Sequence, residues 1–328
     1  MGGLTPAART RVDVDVSAVA PFHGDSVVRG WVRAPAEIDA TRRPVVLVCF
    51  PGGSCTTGYF DLDVPGHDGY SMADFFVDRG VIVAAFDHLG IGDSSAVDDI
   101  FAITPWLAAD ADDVATRVVL DGLRAGALVP ELPPLPDLFS IGVGHSMGGM
   151  VSTVQQARHR TYDALIGLGH GGDGLPGFLT PDELALADRP LADTAPSIVE
   201  CARVRFATPT AIDNKRAEPN SFFSSDVPVA VKEAFAEQRT QLLYTCGLTS
   251  MIPGSTDVEK AGIDVPLLLA YGDGDLTRNF TGAFARYACA TDATLFVLRG
   301  SAHCHNQAAT RAELWDRMDR WVRSVAEG

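Results

Sequence analysis

The chain has 328 residues, enough for one large domain or two ordinary ones around a substantial core. Apolar residues make up 46% and charged ones 21%, the balance of a globular protein rather than a disordered one. Lys and Arg number 26 against 42 Asp and Glu, and the net charge of −16 disfavours nucleic acid and anionic membrane surfaces as partners.

The first residues, "MGGLTPAARTRVDVDV", lack the apolar stretch of a secretory signal. No later run is long and apolar enough to span a bilayer, so a cytoplasmic location is expected. "RVDVDVSAV" (11–19) and "SVVRGWVR" (26–33) alternate apolar with polar residues, as half-exposed antiparallel strands do. Continuous apolar runs follow: "PVVLVCF" (44–50), "GVIVAAF" (80–86), "LFSIGVG" (138–144), "ALIGLG" (164–169), "VPLLLAYG" (265–272) and "ATLFVLRG" (293–300). Such runs suit a central parallel sheet covered by helices on both faces.

Helix candidates fall between them, near 69–79, 110–126, 147–159 and 306–325; the last sets Leu314, Met318, Trp321 and Val322 on one stripe. The alternation predicts an α/β fold with a doubly wound sheet. It is interrupted once, between Gly169 and Val265. There "TPDELALAD" offers a capping box from Thr180 to Glu183 with Pro181 at the first helical position, and "PVAVKEAFAEQRTQLLYT" (228–245) reads as an amphipathic helix. Two buried strands follow, so a helical insertion that returns to the same sheet fits better than a second domain. The six cysteines (Cys49, Cys55, Cys201, Cys246, Cys289, Cys304) are scattered without a C-x-x-C pair and form no disulfide framework.

Gly144-His145-Ser146-Met147-Gly148 is a G-x-S-x-G pentapeptide placed after a buried strand and at the start of a helix. At that junction the serine is forced into a strained turn that lifts its hydroxyl above the carboxyl edge of the sheet. A serine hydroxyl becomes nucleophilic only when an imidazole takes its proton and an anion orients that imidazole. The acid and then the base are therefore expected downstream. Asp273 and Asp275 close one predicted strand, and His303 and His305 close the next. The N–H of Met147, the residue after the serine, is one expected oxyanion donor.

With these residues in place the chain resembles the α/β-hydrolase family. "GDGD" (272–275) is similar to the family's G-x-x-D, which implies Asp275 as the acid, and "GSAH" (300–303) to its G-x-x-H, which implies His303 as the base. Asp273, Asp173 and His305 are the alternatives. "FDHLGIGDSS" (86–95) is similar to the family's D-x-R-G-x-G-x-S turn, with Leu89 where Arg is usual. The loop "CFPGGSC" stands where the family often shows His-Gly before an oxyanion donor. It implies Gly53, with Pro51 in place of His and Ser54 as the other candidate. His145 is expected to pack away from the serine; His88 and His170 follow strands, where each would either line the pocket or, the preferred reading, pack as a satisfied structural histidine.

The resemblance implies an α/β-hydrolase fold: a mostly parallel sheet flanked by helices, with a helical cap inserted after the sixth strand. The core would comprise residues 1–170 and 263–328 and the cap 171–262. It implies a serine hydrolase that cleaves a carboxylic ester or lactone of a small to medium hydrophobic substrate. A thioesterase, an amidase, a carbon–carbon bond hydrolase, an acyltransferase and a ligand-binding relative stand as alternatives on the same scaffold. Phe178, Phe206, Phe222, Phe223, Phe235, Leu242, Leu243, Tyr244 and Met251 would either line a substrate pocket or form the cap's own core. The cap is also where a homodimer interface would lie. "GLGHGG" (167–172) contains G-x-G-x-x-G but opens no helix, so no dinucleotide cofactor is expected. "HCH" (303–305) lacks further ligands nearby and "GDGD" is too short for a calcium loop, so no metal is expected.

Overall fold

A computed structural model describes residues 9–39, 41–207 and 222–328. Eight strands form one sheet: β1 (Thr10–Asp15), β2 (Val27–Arg33), β3 (Val45–Phe50), β4 (Ile82–Asp87), β5 (Phe139–His145), β6 (Ala164–Leu168), β7 (Leu267–Gly272) and β8 (Ala293–Leu298). Their order is β1-β2-β4-β3-β5-β6-β7-β8. The β1–β2 and β2–β4 pairs are antiparallel and every later pair is parallel. The sequence pattern distinguishes the two kinds: β1 alternates buried and exposed residues, whereas β3, β4, β5 and β7 are buried at every position.

The last apolar run departs from that expectation. β8 has a neighbour on one side only, and most of its residues keep partial exposure.

Ten helices accompany the strands among the described residues: α1 (Met72–Val77), α2 (Pro105–Ala125), α3 (Met147–His159), α4 (Pro181–Leu184), α5 (Leu191–Arg205), α6 (Val229–Glu237), α7 (Tyr244–Met251), α8 (Asp257–Ala261), α9 (Phe280–Ala285) and α10 (Arg311–Glu327). Period-2 alternation along β3 divides its side chains between two cores. Val46, Val48 and Phe50 pack with Ala111 and Ala115 of α2 and Met150, Val151 and Val154 of α3. Leu47 and Cys49 pack with Met72 and Phe76 of α1 and Leu314, Met318, Trp321 and Val322 of α10. Burying each such large apolar side chain contributes about 1.5–3 kcal/mol.

Five helices, α4 to α8, lie between β6 and β7, and residues 208–221 of this stretch lie outside the described residues. The capping box at Thr180 and Glu183 forms as its sequence predicts, with Pro181 at the first helical position. The expected helix over 228–245 is instead two. α6 ends at Glu237, because Arg239 bridges to Cys55, the Thr240 N–H donates to the Ser54 carbonyl and Gln241 donates to the Gly90 carbonyl. Those bonds take residues 239–241 out of helical register and fasten them to loops at the sheet edge. Phe206, Tyr244 and Met251 pack with Leu191, Ile198 and Leu248 in a small cluster that Phe101 and Trp106 join, and Phe206 and Tyr244 also touch the main core. Phe223 and Phe235 join the core on the α1 and α10 side, and Leu242 and Leu243 the other.

Candidate active site

Ser146 sits between the last residue of β5 and the first of α3 with φ 51° and ψ −118°, a region that residues with a Cβ rarely occupy. The turn is tight on both sides. A Cβ on Gly144 would stand 2.5 Å from the Gly148 carbonyl oxygen, and one on Gly148 would stand 2.5 Å from the Phe50 carbonyl oxygen. Glycine at both positions lets β5, α3 and β3 close on one another, and Ser146 alone in that stretch keeps partial exposure.

The structure brings Ser146, His303 and Asp275 together. Ser146 Oγ lies 2.8 Å from His303 Nε2, and His303 Nδ1 lies 2.6 Å from Asp275 Oδ1. Asp275 Oδ1 also accepts the Leu276 N–H at 2.7 Å. Asp275 is buried; burial alone would raise its pKa, but the charges and hydrogen bonds of His303 and His305 outweigh it and hold the carboxyl well below its usual range.

The alternative residues are placed elsewhere. Asp273 Oδ1 accepts the Ser301 N–H, and Asp173 pairs with Arg286 at 3.0 Å. His305 points its Nε2 at Asp275 Oδ2, 2.9 Å away, rather than at the serine. His145 turns from Ser146, stacks on Tyr59 with ring centroids 3.9 Å apart, and donates from Nε2 to the His303 carbonyl at 3.0 Å. Burial, with the nearby His303 and His305, depresses its pKa well below the ordinary value and keeps it neutral.

The Met147 N–H, at the first position of α3, has no intrahelical acceptor. The Gly53 loop runs beside it: a Cβ on Gly53 would lie 4.0 Å from Met147 Cβ and 2.7 Å from Leu242. Ser54, next along, has φ 60°, and its carbonyl accepts from Thr240. The loop is held from behind by His88, whose Nε2 lies 3.2 Å from the Pro51 carbonyl and whose Nδ1 lies 2.7 Å from Asp112. Burial opposes a charge on His88, yet Asp112 raises its pKa.

Ser146 and His303 open onto a small pocket that is partly continuous with solvent. His170, Leu175, Ser250, Leu276 and Thr277 line it together with three glycines. One of these is Gly169, at φ 67°, where a Cβ would stand 3.0 Å from the His303 ring. The apolar residues singled out between β6 and β7 do not line this pocket, although the Phe222 ring meets His303 edge-on with centroids 5.9 Å apart.

Sequence reasoning missed the second imidazole on Asp275, the bond from His145 to the His303 loop and the His88–Asp112 pair. Loop residues carry no periodicity that would aim their side chains, and a pair separated by two dozen residues leaves no local pattern. The even spacing of His303 and His305 is the one signal available, and it does not say which carboxylate they share.

The profile of the alpha/beta hydrolase family matches residues 45–316. The chain belongs to the alpha/beta hydrolase family. A search of the curated proteins finds no significant match. Among solved structures it is similar to a thermophilic esterase from Thermogutta terrifontis, solved with malate bound, at TM-score 0.65 and 14% identity, covering 96% of this chain and 99% of the other. It is similar to a soluble variant of the monoglyceride lipase of Saccharomyces cerevisiae, at TM-score 0.63 and 15% identity, over 98% and 96%. A proline iminopeptidase from Mycobacterium smegmatis gives TM-score 0.62 and 14% identity, over 96% and 99%. At these identities the likeness is one of fold. Among the described residues no group of three His, Cys, Asp or Glu side chains is gathered as a metal site would need, and no helix is long and apolar enough to cross a membrane.

Proposed function

We propose that this α/β-hydrolase is a serine esterase that cleaves a carboxylic ester or lactone of a small to medium, mainly hydrophobic substrate through an acyl-enzyme. The observation that carries this reading is the continuous hydrogen-bonded line from Ser146 Oγ through the His303 ring to Asp275, at 2.8 and 2.6 Å. His303 Nε2 takes the hydroxyl proton as Oγ adds to the substrate carbonyl carbon. The ionised Asp275 holds the Nδ1–H and stabilises the imidazolium that results. The N–H groups of Met147 and Gly53 receive the charge on the former carbonyl oxygen. Collapse of that adduct expels the alcohol, which leaves with the proton from Nε2. A water then gives its proton to Nε2 and attacks the acyl carbon; the second adduct breaks its bond to Oγ, releases the carboxylic acid, and Ser146 Oγ takes the proton back from Nε2.

Residues 171–262 act in this reading as a cap over the carboxyl edge. Its support is that Leu175 and Ser250, both from that stretch, share the pocket with Ser146. The test is Ser146→Ala. It is expected to abolish turnover of a short-chain aryl ester while leaving thermal unfolding unchanged, and only the wild type should be labelled by a fluorophosphonate. Undiminished turnover in the variant would remove the serine from the mechanism.

A further inference from the structure

Two polar side chains beside the nucleophile have given up water without gaining a partner. His170 is 5% exposed and Thr277 is 7% exposed. Among the described residues no hydrogen bond reaches either side chain, and His170 Nε2 and Thr277 Oγ1 are fully buried. Both residues line the pocket that Ser146 and His303 share. A buried donor or acceptor left unpaired is costly, so two of them on residues that line one pocket mark a place where a ligand supplies the partners.

Both are set on fixed frames. His170 follows β6, and its carbonyl accepts the Tyr271 hydroxyl at 2.7 Å. Thr277 stands two residues beyond Asp275. Glycines make room for each: a Cβ on Gly149 would lie 2.9 Å from His170 Cβ, and one on Gly171 would lie 2.8 Å from Thr277 Oγ1. Burial, reinforced by the charge of Lys260, keeps the His170 imidazole neutral, so it offers one N–H and one lone pair. Among the described residues no Lys or Arg lines this pocket. A carboxylate would meet no counter-ion among those lining residues, whereas a hydroxyl or carbonyl oxygen matches both side chains.

Resting on the esterase reading, we propose that His170 and Thr277 form a polar subsite for a neutral hydroxyl or oxo oxygen carried close to the scissile carbonyl. The preferred substrates are then oxygen-substituted esters rather than plain alkyl ones. A hydrogen-bonding site discriminates against an analogue that lacks the matching group, because its own polar atoms stay unpaired.

The test uses ester pairs that differ by one oxygen. Phenyl 3-hydroxybutyrate against phenyl butyrate examines the acyl side, and 3-hydroxypropyl butyrate against propyl butyrate the alcohol side. The wild type is expected to favour the hydroxylated member of one pair by about tenfold in kcat/KM. In Thr277→Val, which keeps the shape of the side chain, and in His170→Phe that ratio should fall toward one. Wild-type ratios near one in both pairs would overturn the subsite even if neither variant folds, as would a ratio that both variants leave unchanged. Fluorophosphonate labelling of the same wild-type preparation separates the two readings. A labelled protein with ratios near one loses only the subsite, and an unlabelled protein that turns over no ester loses the esterase reading.

Discussion

His305 Nε2 lies 2.9 Å from Asp275 Oδ2, on the side of the carboxylate opposite His303, so one buried acid faces two imidazoles. The Gly272 N–H points at the same place, 3.1 Å from His305 Nε2 and 3.3 Å from Asp275 Oδ2. Asp275 is thereby held from both oxygens, but only one of them touches the ring that faces the serine. Asp275→Asn is expected to lower kcat on an aryl ester by about 10³–10⁴-fold, since an amide cannot stabilise the imidazolium. His305→Gln should cost about tenfold, because it loosens the acid without neutralising it. Equal losses in steady-state kcat would show that the second imidazole matters as much as the acid itself.

The serine turn tolerates no added methyl. Gly148→Ala would press a Cβ against the carbonyl of Phe50, and Gly144→Ala against the backbone of Gly148 and Gly149. Backbone cannot rotate aside as a side chain can, so each change should destabilise the fold by about 3 kcal/mol or more. Gly177→Ala, where a Cβ meets nothing within 4 Å, should change stability by less than about 0.5 kcal/mol. Urea unfolding midpoints of the three variants check the contrast.

Behind the loop that carries Gly53, Asp112→Ala would strand His88 in a fully buried position. Removing one member of a buried hydrogen-bonded pair leaves the other unsatisfied and typically costs about 1–3 kcal/mol. The Pro51 carbonyl would lose a well-oriented donor as well, so kcat should fall together with the unfolding temperature. A variant as stable and as active as the parent would show that the pair is dispensable.

Stability should decline as pH falls below about 6.5. His145 and His170 both have pKa values depressed in the fold, chiefly by burial, so the folded chain binds fewer protons there than the unfolded one. Their contribution is complete above the unfolded value of about 6.5 and is lost as pH drops from there toward the folded values. Each contributes a slope approaching about 1.4 kcal/mol per pH unit. His88, with its pKa raised, acts in the opposite sense, so the informative quantity is a difference between proteins. Melting temperatures measured from pH 7.5 to 5 should fall less steeply for His145→Gln than for the wild type.

The sheet was readable because burial on both faces demands uninterrupted apolar runs, and β3, β4, β5 and β7 carry them. Ser146, Asp275 and His303 each follow an apolar run; the runs narrowed the acid to Asp273 or Asp275 and the base to His303 or His305, and the resemblance to the family singled out one of each, without any knowledge of side-chain direction. Direction is what stayed hidden. His305 stands two residues from His303, yet a loop has no period to say whether it faces the serine, the acid or neither. The break after Glu237 was invisible for a related reason: the helical pattern of 228–245 is sound locally, and only bonds to Cys55, Ser54 and Gly90, distant in sequence, override it. His170 was legible as a residue after a strand that could line the pocket, but neither it nor Thr277 showed that its side chain would be left unpaired, because an unpaired atom is defined by its surroundings and not by its residue type.

Ser146 and His303 are 157 positions apart, and His303 and Asp275 both follow the long helical stretch between β6 and β7. During synthesis the serine turn emerges from the ribosome while its acid and base are still unmade. A nascent chain therefore carries that hydroxyl with no imidazole beside it, and the line from Ser146 to Asp275 closes only once β7, β8 and the loops after them have docked. The order of the elements along the chain thus works as a built-in delay.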